Sequence, residues 1–191
     1  MTSHEHAGEW SGTAPDGPRP LLFLDVDGPL IPFGARDGAD PAHPTYPPEP
    51  PPGVSPLLAR LDPAQGPRLA ALPYELVWAT TWEADANTWV APRLGLPPLP
   101  LPAWPDGPDV AGWPGLHWKT PALVAWAAGR PFAWVDDEIG AADRAWVAAH
   151  HPGPALLHRV DARRGLGGDD YATLAGWGAS RGGWVRACGA G

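Results

Sequence analysis

A single cysteine, Cys188, and a single lysine, Lys119, stand in a chain of 191 residues. One thiol can form neither an internal disulfide nor a thiolate metal cluster, which excludes a disulfide-stapled secreted scaffold and fits a reducing compartment. No run approaches the roughly 18 apolar residues of a membrane span. The start, Met1-Thr2-Ser3-His4-Glu5-His6, has neither a cationic stretch nor an apolar one behind it, so the expectation is a cytoplasmic protein with no membrane partner. Basic residues are scarce, 13 Lys+Arg against 21 Asp+Glu for a net charge of −8. That disfavours nucleic acid as a partner, because its affinity rests on clustered Lys and Arg. A local site for one phosphate stays open. Spaced Cys and His ligands of the zinc type are missing as well.

The cations that are present carry a signal of their own. Twelve are Arg, the usage of a GC-rich genome in which Arg replaces Lys wherever any cation will serve. The one lysine kept therefore marks a position that needs a compact ammonium rather than a planar fork. Proline and glycine are abundant, 28 and 24 residues, and their placement organises the chain. Residues 1–19 read as a mobile polar tail and 20–191 as a single domain, with proline-rich loops at 32–56 and 92–108. Apolar runs at 21–26, 75–80, 132–136 and 155–160 read as buried strands, with Leu99 and Leu101 in a short extra strand. Helices are expected over 57–72, broken at Pro63 or Pro67, and over 83–94 behind a Thr81 cap. Others follow from Thr120-Pro121 to Gly129, over 141–149, and after Asp169. Alternating strands and helices predict an α/β fold, a Rossmann-like three-layer sandwich around a central parallel sheet.

Three strand ends are polar in complementary ways: Asp25-Val26-Asp27-Gly28, Thr80-Thr81 and Asp136-Asp137-Glu138. Lys119 begins the helix before the last of these strands. Carboxyl ends of strands are where open α/β sheets bind ligands, and oxygen-only ligands suit a hard cation such as Mg²⁺, with Asp25 and Asp136 as its carboxylates. In this order and context the residues resemble the four motifs of the haloacid dehalogenase (HAD) superfamily, Asp25-x-Asp27-Gly28, Thr80, Lys119 and Asp136-Asp137, over residues 21 to about 160. The wording DVDGPLIP, VWATTWEADAN, HWKTP and WVDDE is similar to capless HAD-like proteins of actinomycetes.

The resemblance implies a Mg²⁺-dependent phosphatase in which Asp25 attacks phosphorus and forms an aspartyl-phosphate. Asp27 would protonate the leaving oxygen and then deprotonate water, since alternate residues of an extended backbone project to one side. Thr80 would bind a phosphoryl oxygen, and Lys119 would neutralise Asp25 and the phosphoryl group. Val26, Gly28 and Thr81 would complete the phosphate cradle. The metal set would be Asp25, Asp136 and Asp137, with Asp27 through its carbonyl. Pro29 departs from the pattern, because the family often has Thr or an aliphatic residue there, and it removes an N–H near the cradle.

The intervals of 53 residues between Asp27 and Thr80 and 39 between Thr80 and Lys119 leave no room for a folded cap domain. The site should be open, and the resemblance then implies a bulky phosphorylated substrate or a small molecule with a partner chain as lid, with the stretch 41–56 as a candidate stiff flap. The twelve tryptophans have packing as their default role: Trp78 and Trp134 in strands, and Trp126, Trp146 and Trp177 at helical core positions. Trp82, Trp89, Trp104, Trp113 and Trp118 crowd the expected site, where a stacking wall is the alternative to anchoring. His117, His150 and His151 read as surface or capping residues. Competing assignments are a calcium loop, which Pro29 and the early glycine argue against, and a sugar-nucleotide transferase, for which the chain lacks a nucleotide-binding half. A phosphotransferase, a biosynthetic tailoring enzyme and a non-catalytic module binding partners through its proline-rich segments complete the alternatives.

Overall fold

In the computed structural model, residues 18–34, 43–104 and 113–181 are described. Residues 1–17 of the expected tail, 35–42 and 105–108 of the proline-rich stretches, and Cys188 lie outside these residues. Strands β1 (Leu21–Leu24), β2 (Glu75–Trp78), β3 (Phe132–Asp136) and β4 (Ala155–Arg159) form one parallel sheet in the order β2-β1-β3-β4. Leu21 of β1 is level with Glu75 on one side and Phe132 on the other. The two-residue period of a strand sorts its side chains to opposite faces. Leu22, Leu24, Trp78, Ala133 and Val135 face one core, and Leu21, Phe23, Val77, Phe132 and Trp134 face the other. With both faces buried, β1 and β3 must be apolar throughout, which explains their unbroken hydrophobic runs. Each fully buried Leu or Phe contributes about 1.5–3 kcal/mol.

Helices α1 (Gln65–Ala70), α2 (Ala91–Leu94) and α5 (Gly168–Ala179) close the first core through Leu69, Leu94 and Leu174. Helices α3 (Thr120–Ala127) and α4 (Ala141–His150) close the second through Leu123 and Val147. The result is a Rossmann-like α/β sandwich. The strand order reverses about β1, which places a crevice at the carboxyl ends of β1 and β3.

Several elements differ from expectation for identifiable reasons. The helix expected over 57–72 is two pieces, a 3₁₀ turn at Pro56–Arg60 and α1. Pro63 makes the break, whereas Pro67 is tolerated in the first turn of α1, where backbone N–H groups have no helical partner. Gly66 before it is required by packing, because a Cβ there would lie 1.7 Å from the Leu94 carbonyl oxygen. Thr81 caps no helix. A π-helical turn, Ala86–Val90, runs into α2 instead. Thr120 is the first residue of α3, not its cap, and its hydroxyl donates to Asp143. The segment around Leu99 is not a strand, since its alternating prolines cannot donate to a ladder. It lies beside β2 nonetheless: Trp78 N–H donates to the Pro100 carbonyl (2.9 Å). Trp126 is exposed rather than core. His151 is buried, packed against Phe132, with Nε2 3.1 Å from the Arg130 carbonyl oxygen.

Between β1 and β2, the described residues contain only the 3₁₀ turn and α1, both packed on the sheet through Leu58 and Leu69. No helix among the described residues is long and apolar enough to cross a membrane.

One side chain of the π turn holds the β2 edge together. Asn87 Oδ1 accepts from Trp78 Nε1 (2.9 Å) and Leu99 N (2.8 Å), and Nδ2 donates to the Leu99 carbonyl (2.8 Å). Asn87→Ala leaves the donor of a fully buried Trp78 without a partner and is expected to cost about 2–4 kcal/mol; urea unfolding measures it, and a loss below about 0.5 kcal/mol would contradict the assignment. A second test concerns acid. Burial holds His151 below its usual value, more than the Arg130 carbonyl raises it. The unfolded chain therefore takes up this proton first, so the contribution is complete above about pH 6.5 and is lost as pH falls. His151→Phe is expected to make the stability decline between pH 7 and 5 shallower, and an unchanged slope would exclude His151 as its source.

Candidate active site

Asp25 immediately follows β1, Thr80 lies two residues beyond β2, and Asp136 ends β3. Backbone bonds continue past the strand ends, Asp25 N to the Val135 carbonyl (3.0 Å) and Ala79 N to the Leu24 carbonyl (2.9 Å). The sheet itself therefore fixes where these side chains start. Lys119 reaches the same point from the residue before α3. Its Nζ lies 2.6 Å from Asp25 Oδ2 and 2.8 Å from Asp136 Oδ2, with only 2% of the residue exposed. The remaining oxygens are also held: Asp25 Oδ1 accepts from Val26 N (2.7 Å) and Asp136 Oδ1 from Glu138 N (2.8 Å).

Two buried carboxylates thus share one ammonium, and the charges do not cancel. Burial pushes the Asp25 carboxyl up to about 7, against the pull of Lys119 and with the push of Asp136. Burial acts on Asp136 in the same sense, but the Lys119 charge and hydrogen bond together with the Glu138 N–H outweigh it and hold Asp136 below the usual range. For Lys119, burial favours the neutral amine, and the two carboxylates overcome it and keep the ammonium. Asp137 adds a third carboxylate. Oxygens of Asp25, Asp136 and Asp137 lie within 4.8 Å of one another, and Asp137 is raised by burial and then by Asp136. Three carboxylates facing one ammonium form an oxygen-only donor set with surplus negative charge, which fits a hard divalent cation.

Asp27 is not in that group. Its Oδ2 accepts from Trp82 Nε1 (2.9 Å), and burial raises its carboxyl despite that bond. Thr80 is buried; its Oγ1 accepts from Trp82 N (3.3 Å) and its carbonyl from Trp104 Nε1 (3.2 Å). Thr81 is exposed. The N–H groups of Val26 and Gly28, expected to face a phosphate, donate within the chain, to Asp25 Oδ1 and to the Ile31 carbonyl (3.0 Å). Gly28 has φ +86°, and a Cβ there would lie 2.5 Å from Asp137 Oδ1. Glycine is thus required both by the turn and by the carboxylate beside it. Pro29, in the same turn, accepts from Leu166 N through its carbonyl (2.8 Å).

The residues that the sequence reading missed are those that aim Lys119. Asp143, on the first turn of α4, accepts from His117 N (2.9 Å) and the Thr120 hydroxyl (2.6 Å) through Oδ1, and from Gly140 N (2.8 Å) through Oδ2. It straps the segment carrying Lys119 to the segment after β3. Asp143 three residues after Gly140, ahead of a helical run, is the spacing of a capping box, a signal legible in the sequence. His117 also serves as structure. Its Nδ1 accepts from Lys119 N (3.1 Å), so a neutral ring carries its hydrogen on Nε2 and gives it to Glu138 (3.1 Å). Although His117, Asp136 and Glu138 lie close together, that ring nitrogen has no free lone pair for a metal.

Comparison of the chain with protein-family models, with curated proteins and with solved structures gave no match. The functional reading accordingly rests on the site itself.

Asp143→Ala is expected to cost about 2–4 kcal/mol in urea unfolding, because it strips three donors of their acceptor at once. A loss under about 1 kcal/mol would mean that water replaces the carboxylate and that Lys119 is aimed by something else.

Proposed function

We propose that the protein is a Mg²⁺-dependent phosphohydrolase of the HAD-like type that works through an aspartyl-phosphate. The observation that carries this reading is the Lys119 ammonium, buried between Asp25 and Asp136, three residues drawn from distant parts of the chain to one strand-end crevice. The four motif-like segments of the sequence all lie at that crevice, which supports the same reading.

Asp25 is the nucleophile. Its oxygen bonds to phosphorus as the ester P–O bond breaks, and the departing oxygen takes a proton from Asp27. Water then attacks phosphorus, Asp27 recovers a proton from it, and inorganic phosphate leaves with Asp25 restored. Trp82 holds the Asp27 carboxyl in place through its indole N–H. Lys119 keeps Asp25 oriented and offsets charge as the phosphoryl group arrives. Asp25, Asp136 and Asp137 are the residues that would hold Mg²⁺. When bound, the ion supplies the positive charge that lets a phosphoryl group approach three carboxylates.

Two measurements test the proposal together. Phosphate release from p-nitrophenyl phosphate should require Mg²⁺ and fall by about 10³-fold or more in Asp25→Asn. In a thermal melt, Mg²⁺ should raise the Tm of the wild type and leave Asp136→Asn unmoved, because only a folded state with its ligands intact gains from binding. Equal Mg²⁺-independent turnover by wild type and Asp25→Asn, or none by either, would overturn the assignment and favour a binding role.

A further inference from the structure

Two cavities adjoin the crevice, one through Asp137 and the other through Asp27, with Phe33 lining both. On the Asp137 side a cavity of about 680 Å³ is bordered by Arg159 and Arg163 together with Asp137 and Asp161. On the Asp27 side one of about 600 Å³ has no Lys or Arg in its lining; its walls are Phe33, Val54, Leu57, Trp82 and Trp89, and its charged groups are Asp27 and Asp85. Its volume suits a small-molecule ligand.

We infer that the Asp27-side cavity receives the alcohol part of the phosphoester, and that this part is an aromatic or flat apolar ring system carrying no further anionic group. The inference rests on the proposed phosphohydrolase role, in which the proton donor to the leaving oxygen faces the leaving group. Asp27 lines this cavity and not the arginine-bordered one. The two indoles and Phe33 offer faces and edges on which a ring can stack, at low entropic cost because each has only two side-chain torsions. The Asp85 carboxylate disfavours a second phosphate or a carboxylate and tolerates a neutral or cationic substituent.

Hydrogen bonds hold parts of the walls. Trp82 is tied to Asp27, and Trp89 lies in the π turn. Opposite them, residues 53–55 belong to a proline-rich stretch that is bonded to the rest of the chain at Tyr46 and Pro48 and turned on itself at Val54. Tyr46 N donates to the Ala59 carbonyl (2.7 Å), Arg93 to the Pro48 carbonyl (2.5 Å) and Val54 N to the Pro51 carbonyl (3.1 Å). The described part of the stretch expected to act as a flap lines this cavity through Gly53, Val54 and Ser55. Of the five tryptophans expected near the site, Trp82 and Trp89 line this cavity. Trp104 packs edge-on against Trp118, and Trp113 pairs with the exposed face of α4 through His150.

Calorimetric titration of Asp25→Asn in Mg²⁺ tests the inference, with 2-naphthyl phosphate, ribose 5-phosphate and ADP as probes. The naphthyl ester is expected to bind about tenfold or more tighter than either of the others. Adding Trp89→Ala should bring that ratio to within about twofold, and Trp89→Phe, which keeps a ring and guards against simple misfolding, should retain most of it. In the metal-free wild type, 2-naphthol alone should bind, a readout that needs neither metal nor phosphate chemistry. Equal or tighter binding of ribose 5-phosphate or ADP, a ratio unmoved by Trp89→Ala, or no binding of 2-naphthol would overturn the inference. Phosphate release from p-nitrophenyl phosphate, whose ring meets the proposed preference, judges the hydrolytic role separately. If that fails while the naphthyl preference stands, the cavity assignment survives and the phosphohydrolase reading does not.

Discussion

One ammonium between two buried carboxylates is the contact from which the rest of the site follows. Removing ions from water costs several kcal/mol each, and mutual attraction offsets that only when every remaining oxygen and proton is also satisfied. Here the satisfaction is close to complete, because backbone N–H groups of Val26 and Glu138 take the oxygens that Lys119 leaves. The charges still do not balance. Leucine and methionine of similar volume would stabilise the same place at less cost, so the cluster makes poor sense as a device for stability. It makes good sense where a nucleophile has to be kept dry, oriented and incompletely neutralised, and that imbalance is what a divalent cation and a phosphoryl group together would complete.

Holding such a cluster requires stiffness around it, and the protein obtains this from backbone rather than from side-chain bulk. Asp25 and Asp136 start from adjacent parallel strands, so their separation is set by ladder spacing. Lys119 has no strand beneath it. Its position depends on Asp143, which reaches from α4 to bind both sides of the Lys119 residue, and on the His117 ring, which accepts the Lys119 N–H and ends on Glu138. Gly28 performs the complementary task by leaving space, since any side chain there would strike the Asp137 carboxylate. Polar side chains that touch no substrate thus decide the geometry of those that would.

The strands and their chemical ends were legible because burial on both sheet faces leaves an unmistakable apolar run, and because a polar strand end in such a run has little structural reason to exist. The lone lysine was legible through contrast with twelve arginines. Other features were hidden for physical reasons. Whether Pro63 or Pro67 breaks a helix depends on which turn each occupies, and only the Gly66–Leu94 approach fixes that register. The exposed Trp126 has the same local pattern as a core tryptophan, and α3 simply presents that position outward. His151 shows the converse, a polar residue at a helix end that the fold buries against Phe132. Nothing local to Asn87 announces that its partners are Trp78 and Leu99; that follows from the π turn, which sequence periodicity does not encode.

The proline content ties these threads together. A chain with this much proline and glycine resembles a low-complexity segment by composition, yet among the described residues many prolines occupy places where a missing N–H does no harm: first turns of helices, the extended edge beside β2, and the wall opposite Trp82 and Trp89. Each such place trades ladder hydrogen bonds for a backbone already restricted before folding, which lowers the entropy lost on ordering it. An edge made in this way cannot recruit another strand. In its described part, the proline-rich stretch at 43–56 thus borders the crevice with backbone already restricted before folding.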